Sequence, residues 1–198
     1  MSFTVPDPFA LFDAWLQDAG ASEINDPNAM SLATLDANGT LSNRIVLLKG
    51  HGPNGFRFFT NYTSRKGEAL TANPRAAALF HWKSLERQVR IEGPVSPLTA
   101  EQSQAYYDTR ARGSRIGAWA SLQSQPLPDR QVLEDRIDQF EQQFEGQETF
   151  PRPDHWGGFL LQPMAMEFWH AGEYRLHERV RLTRESFDGP WSQSPLYP

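Results

Sequence analysis

The chain has 198 residues, with 19 Lys and Arg against 24 Asp and Glu, a net charge of −5, and no cysteine. The acidic balance argues against general nucleic-acid binding, which wants a basic surface, and the missing thiols exclude disulfides and thiolate metal centres. The length suits one domain, 1–198, with a real core; no secretory leader and no apolar run of roughly 18 residues is legible, so a cytoplasmic protein with no membrane span is expected.

Asp7 suits an N-cap and Pro8 the first helical position. Phe9, Phe12, Trp15, Leu16 and Ala19 then mark a helix over about 8–19, with Gly20 as its stop. From Met30 the texture turns to short β-rich or apolar runs: "MSLATL", "NRIVLLK", "FRFFTNY", "AAALFHW" and "ERQVRIEGPV", separated by turn signals at 36–39 and 53–55. "GHGPNG" (50–55) matches the dinucleotide-binding glycine pattern, but a strand-like run follows it instead of the required helix, so a hairpin turn is the better reading.

A short helix is expected over 64–71. Thr99-Ala100-Glu101-Gln102 is a capping-box pattern that opens a helix to about Arg110, and a second short helix carries 114–121. Leu133, Ile137, Phe140 and Phe144 mark an amphipathic helix ending at Gly146, which completes a helical insert over about 99–145. Three strands follow near 157–163, 165–170 and 174–184, within a C-terminal region 157–198. The sum is a mainly β, antiparallel fold of seven or eight strands with peripheral helices, and a barrel would close its edges.

The candidate binding residues are cationic. Arg44 and Lys49 stand at the two ends of a strand that is apolar on both faces; they reach a cleft while the middle is buried, or merely mark where the strand surfaces. Arg65 and Lys66 follow Ser64 at a helix start, where cations oppose the helix dipole unless an anion binds. Tyr106 and Arg110 lie four apart on one helix face with Ser114 just past its end, a set suited to a phosphate monoester. In the last strand Arg175, His177, Arg179 and Arg181 share a face and repel one another unless something negative sits among them. Two phosphate-sized clusters and a basic row suggest two anionic ligands, or one long one. The five histidines (51, 81, 155, 170, 177) show no zinc-ligand spacing, so no metal site is expected, and Gly113–Gly117 is not a hydrolase nucleophile elbow.

"MEFWHAGEYRLHER" (166–179) resembles the signature of the pyridoxamine/pyridoxine 5′-phosphate oxidases; "RIVLLK", "FFTN", "SRKG", "LERQV", "SRIGAWASLQSQ" and "WGGF" resemble that family in order and spacing. The resemblance implies an FMN-binding split β-barrel and a homodimer with FMN at the subunit interface. It implies FMN contacts from Arg44, Ile45, Val46, Leu47, Leu48 and Lys49, from Phe59, Thr60, Arg65 and Lys66, and from Gln88, Gln123, Ser124, Trp169 and Arg179. Lys49, Tyr106, Arg110 and Ser114 would hold the substrate phosphate; Arg175, Leu176 and His177 would lie against the substrate ring, Arg175 and His177 as catalytic residues.

The implied activity is oxidation of pyridoxamine or pyridoxine 5′-phosphate to pyridoxal 5′-phosphate by O2, giving H2O2. The rivals are a related flavin oxidase of another reduced ring, such as a phenazine precursor, and a non-catalytic FMN or pyridoxal-phosphate carrier. Phe59 stands where the family often has Tyr, Pro195 where Arg is common, and only "MSFTVP" stands where a basic arm is frequent.

Overall fold

In the computed structural model, which describes residues 4–198, the element order follows the expected pattern. Residues 1–3, half of "MSFTVP", lie outside the described residues. Helix α1 spans Pro8–Ser22, with the Asp7 carboxylate accepting from the Phe9 and Ala10 amides. It continues past Gly20, because Ala21 and Ser22 extend the helix and Glu23 returns its N–H to the Ala19 carbonyl. Its buried face carries Phe12 and Trp15. Phe12 packs edge-on against Phe56 and Phe80, so the helix closes one end of the barrel.

Strands β1 (Ala29–Leu35), β2 (Leu41–Leu47), β3 (Phe56–Asn61), β4 (Arg75–Trp82), β5 (Arg87–Pro97) and β6 (Trp156–Leu161) pair in the order β2-β1-β4-β5-β6-β3, all antiparallel. The ring closes where the chain beyond β2 meets β3: the Lys49 amide donates to the Arg57 carbonyl at 2.8 Å and the Arg57 amide to the Gly50 carbonyl at 2.7 Å. The glycine-rich segment 50–55 is therefore a turn into a strand, as expected. Strand β5 serves two partners. Its first half pairs with β7 (Ala165–His170), which continues to β8 (Glu178–Thr183) and β9 (Ser192–Pro195), while its end pairs with β6. The result is a split barrel.

Gly93 marks the split. A Cβ there would stand 1.9 Å from the Gln162 carbonyl oxygen, so only glycine lets the two backbones approach where β5 changes partner. The interior is filled by alternate residues of the strands, among them Leu32, Phe58, Phe80, Ile91, Phe168 and Val180. Each such side chain contributes on the order of 1.5–3 kcal/mol by leaving water.

Nine strands are present among the described residues, not seven or eight; the extra one is β9, which pairs with β8 at the sheet edge. The last long strand also begins later than expected. Residues 174–177 are not extended, because Tyr174 and Arg175 adopt left-handed backbone (φ 54° and 64°) inside a tight turn. Arg175 and His177 thus leave the sheet face that Arg179 and Arg181 share.

Helix α2 (Arg65–Ala72) lies between β3 and β4, and the insert folds as α3 (Ala100–Asp108), α4 (Arg112–Ala120) and α5 (Arg130–Gln143) between β5 and β6. The Thr99–Gln102 capping box forms in full. Helix α3 stops at Asp108, so Arg110 sits in the following turn and Ser114 inside the first turns of α4, not past a longer helix. The amphipathic α5 buries no residue fully along its length; Ile137 and Phe140 rest against a separate small core of Tyr107, Ile116, Phe144, Phe150 and Trp156. Among the described residues no helix is long and apolar enough to cross a membrane.

Candidate active site

A first cavity, about 430 Å³, opens between the barrel wall and the helical insert. β2 supplies Ile45, Val46 and Leu47, and Lys49 follows just beyond the strand; β3 supplies Phe59, Thr60 and Asn61. Lys66 enters from α2, Tyr106 from α3, Ser114 from α4 and Gln123 from the loop after it, with Arg110 and Trp156 completing the wall. Ten of the sequence-derived candidates therefore share one space: Ile45, Val46, Leu47, Lys49, Phe59, Thr60, Lys66, Tyr106, Arg110 and Ser114, joined by Gln123 as an eleventh.

Lys66 is the electrostatic centre of this cavity. Its ammonium donates to Gln123 Oε1 at 2.9 Å, Thr60 Oγ1 at 3.0 Å and Ser64 Oγ at 3.4 Å, all neutral acceptors. The residue is buried, and no carboxylate is within ion-pair distance among the described residues. Burial first, and the Arg44 guanidinium second, pull its pKa down to about 8. Arg44 is itself held below its usual range, by burial and then by Arg65. Three cations are thus gathered with too little negative charge of their own.

A sign follows for stability. With the folded-state pKa near 8 and the unfolded value higher, the unfolded chain binds the proton more tightly between them. Stability of the ligand-free protein should rise as pH climbs from about 8 toward the ordinary lysine value, and the cost of the buried charge is felt in full below 8. Lys66→Met is expected to melt at a higher temperature than the parent at pH 7 when no anion is present, with a flatter pH profile above 8. Thermal melts across that range check it; a variant that melts lower throughout contradicts the account.

At the other end of the cavity three rings stack: Phe59 on Tyr106 at 3.9 Å between centroids, and Phe59 on Trp156 at 5.5 Å. The Arg110 guanidinium lies 4.7 Å over the Trp156 ring, with its Nη1 buried and without a hydrogen-bond partner among the described residues. An unpaired buried guanidinium nitrogen is costly, and a ligand oxygen is the natural remedy. Burial keeps the Arg110 pKa below its ordinary value. Ser114 stands nearby in the first turns of α4, a helix whose N-cap, Ala111, has no side-chain acceptor to offer its amides.

Other candidates lie behind or beside this space. Arg44 reaches across its own sheet to the Leu32 carbonyl at 3.0 Å and Thr34 Oγ1 at 2.7 Å, and also meets Ser42 Oγ. The Leu48 side chain is in the barrel core. Arg65 is exposed at the start of α2, and Ser124, with a left-handed backbone (φ 74°), lines an adjoining groove under α5. The strand carrying Arg44 is not buried in its middle as expected: Ile45 is 66% and Leu41 75% exposed, an apolar strip that one chain leaves uncovered.

The remaining candidates form a second group. Gln88 on β5, Trp169 on β7 and Arg179 on β8 line a separate cavity of about 200 Å³ with Arg90 and Glu167, and share no lining residue with the first. The negative charge expected among the basic residues is the protein's own: Glu167 receives Arg179 and Arg90, and Glu92 receives Arg181 and Arg90. Past the end of β7, His177 tilts against Trp169 at 4.6 Å and accepts at Nδ1 from the Gly172 amide at 3.2 Å. A Cβ on Gly172 would lie 2.0 Å from the Leu176 carbonyl oxygen, so glycine is what allows this tight turn. Tyr174, Arg175 and Leu176 project from it, all exposed.

The sequence reading passed over Asn61, Ser121 and Trp156 in the first cavity and Arg90 and Glu167 in the second. Gln88, Arg90 and Glu92 alternate along β5, a period-two signal that was available.

A family model described as pyridoxamine 5′-phosphate oxidase matches residues 16–144, and one described as the pyridoxine 5′-phosphate oxidase C-terminal dimerisation region matches residues 156–198. The chain is 52% identical over 192 residues to the pyridoxine/pyridoxamine 5′-phosphate oxidase of Agrobacterium fabrum, covering 97% of this chain and 93% of that one. It is 53% identical to the protein of the same name from Caulobacter vibrioides, covering 97% and 85%. Among solved structures it is similar to PhzG from Burkholderia lata 383 in complex with tetrahydrophenazine-1-carboxylic acid (TM-score 0.89, 30% identity, 99% and 98% coverage). A pyridoxamine 5′-phosphate oxidase-related, FMN-binding protein from Nostoc punctiforme has the same fold (TM-score 0.75, 16% identity, 98% and 100% coverage).

Proposed function

The chain belongs to the pyridoxamine 5′-phosphate oxidase family, an oxidoreductase family, and from that premise we propose that it oxidises pyridoxamine and pyridoxine 5′-phosphate to pyridoxal 5′-phosphate with FMN. The observation that carries the reading is a single cavity in which Lys49, Lys66 and Arg110 have no carboxylate partner among the described residues. Such a space fits phosphate-bearing ligands, and the flat walls of Phe59, Tyr106 and Trp156 fit planar rings.

The residues present fit FMN. Arg44, Arg65 and Lys66 would hold its phosphate, with Thr60 and Gln123 fixing the lysine. The backbone and side chains of residues 45–49, with Phe59, Gln123 and Ser124, would border the remainder. Gln88, Trp169 and Arg179 belong to the other cavity, and we assign them to the second subunit's share of the same site. The homodimer that this requires agrees with the match of residues 156–198 to a dimerisation region, and it would cover Leu41 and Ile45.

When bound, FMN would supply the two-electron acceptor for oxidation at C4′ of the substrate, with O2 as the final acceptor giving H2O2. The chain's task is alignment. Lys49, Tyr106, Arg110 and Ser114 would grip the substrate phosphate, and a rigid grip on one end of a small ring fixes the other end, which is worth several kcal/mol of barrier. Arg175, Leu176 and His177 would lie on the substrate ring. His177 is already oriented by the Gly172 amide, which leaves Nε2 to meet the substrate. The alcohol substrate gives the aldehyde directly; the amine also consumes water and releases ammonia.

The test is direct. The purified protein should be yellow and should form pyridoxal phosphate and peroxide, one for one, from pyridoxine phosphate in air. A colourless protein that binds no added FMN would overturn the reading, and a yellow one forming no peroxide would make it a carrier. Arg175→Ala and His177→Ala should lower turnover by at least about tenfold while leaving FMN content near the parent value, as loss of a group acting on the substrate alone requires. Steady-state rates beside the flavin absorbance check this, and parent-like turnover in the Arg175 variant would remove its role. The similarity to PhzG motivates one rival, oxidation of a reduced phenazine precursor. That substrate has no use for the Arg110 and Ser114 grip, so indifference of the rate to Arg110→Ala would favour it.

A further inference from the structure

Glu167 is the only carboxylate lining either cavity among the described residues, and neither the established fold nor the proposed chemistry uses it. It sits mid-strand in β7 between the core residues Met166 and Phe168, which point into the barrel, so its own side chain faces the other side of the sheet. Only 6% of the residue is exposed. A buried carboxylate there is expensive unless paired, and the pairing is specific. Glu167 Oε1 accepts from Arg179 twice, from Nε at 3.0 Å and Nη2 at 2.7 Å, while Oε2 accepts from Arg90 Nη1 at 3.3 Å. Arg90 has a second and shorter partner in Glu92 at 2.7 Å, so Arg179 is the residue that Glu167 holds most closely.

A guanidinium has five N–H donors. In Arg179, Nε and Nη2 each give one to Glu167, and Nη1 gives one to the Tyr197 carbonyl at 3.1 Å. Two donors, one on each terminal nitrogen, have no partner among the described residues. The arginine is therefore pinned on one side with its free donors available to an occupant of the cavity it shares with Gln88 and Trp169. Opposite Arg179 in the register stands Trp169, and opposite that Gln88; Arg179 leans one diagonal step along the sheet to reach Glu167. A flexible arginine on an edge-side strand would otherwise sample many rotamers, and fixing it in advance removes an ordering cost from ligand binding.

We propose that Glu167 is a positioning residue that fixes the Arg179 guanidinium for the flavin, a proposal that rests on the FMN reading above. Its effect on the ligand runs through Arg179 and not through a contact of its own.

The experiment is a double-mutant cycle on FMN affinity, read by quenching of flavin fluorescence in the full-length protein stripped of FMN and titrated with it. Glu167→Gln should weaken FMN binding at least about tenfold with Arg179 present, and should change it little in an Arg179→Ala background. Additive effects in the cycle, or unchanged affinity in Glu167→Gln, overturn the proposal. Should Glu167→Gln fail to fold, Glu167→Asp carries the test: it keeps the charge but shortens the reach to Arg179. Positioning then predicts an intermediate loss of affinity, coupled to Arg179 in the same way; parent affinity in Glu167→Asp overturns it. If the parent protein binds no FMN, the cofactor reading falls and this proposal with it. If the parent binds and the variants match it, only the role of Glu167 falls.

Discussion

Arg110→Ala is expected to raise KM for pyridoxine phosphate by about one to two orders of magnitude while FMN content stays near the parent value. The guanidinium is stacked on Trp156 and one of its nitrogens is buried without a partner among the described residues, so in the ligand-free chain it is a donor waiting for an acceptor. A charge-assisted hydrogen bond to phosphate is worth about 1.5–3 kcal/mol, and 1.4 kcal/mol is a factor of ten. Arg110→Lys should recover only part of the loss, because an ammonium neither stacks as a plane nor presents a fork. Removing the side chain costs packing on Trp156 as well, so the check is the split between constants. A fall in turnover with KM unchanged would mean that Arg110 supports the fold of the insert and does not grip the phosphate. Steady-state kinetics with flavin absorbance on the same samples distinguishes the two.

The second large effect is expected at Ile45. This side chain is 66% exposed in the isolated chain, yet it borders the first cavity, and Leu41 on the same strand is 75% exposed. In a two-fold dimer every substitution is made twice. Burying an isoleucine yields on the order of 1.5–3 kcal/mol per copy, so Ile45→Glu removes about twice that and adds the cost of burying two carboxylates. The expected protein is a monomer at micromolar concentration that fails to retain FMN, since Gln88, Trp169 and Arg179 of the other subunit no longer reach the ligand. Sedimentation and flavin absorbance check both halves of the claim together. A variant that remains dimeric and yellow would show that the interface lies elsewhere and that one chain holds its flavin alone.

Much of this architecture can be read from local signals. The short β-rich or apolar runs at 30–35 and 165–170 agree closely with β1 and β7, because each strand commits at least one face to the core. The capping box at Thr99 was equally secure, since its two hydrogen bonds are purely local. The misreadings arose where distant contacts override local preference. Nothing in "GEYRLHE" announces that Tyr174 and Arg175 take left-handed backbone, which costs a non-glycine residue on the order of 1 kcal/mol or more and is sustained by surrounding structure. "SQSP" has no apolar alternation at all, and β9 exists because β8 offers it an edge.

The candidate site was legible by residue type but not by grouping. Cations without partners are visible in a sequence; that Arg179 already has one in Glu167 is not, because the pair is diagonal across two strands. Likewise the apolar run of β2 read as a strand covered on both faces. One chain covers only one of them, and the second covering is outside it.

The long strand β5 acts as a common ruler. Its early residues set Gln88 in the smaller cavity, its last residues hold β6 and with it Trp156 in the larger one, and Gly93 is trapped between them against the Gln162 carbonyl. A single-residue deletion within Arg87–Pro97 would invert which side chains point inward along the remainder of the strand. Both halves of the binding apparatus would go out of alignment at once, although neither had itself been altered. Tolerance to insertions and deletions should therefore be lowest along this strand, even though it contributes just one of the candidate ligand contacts.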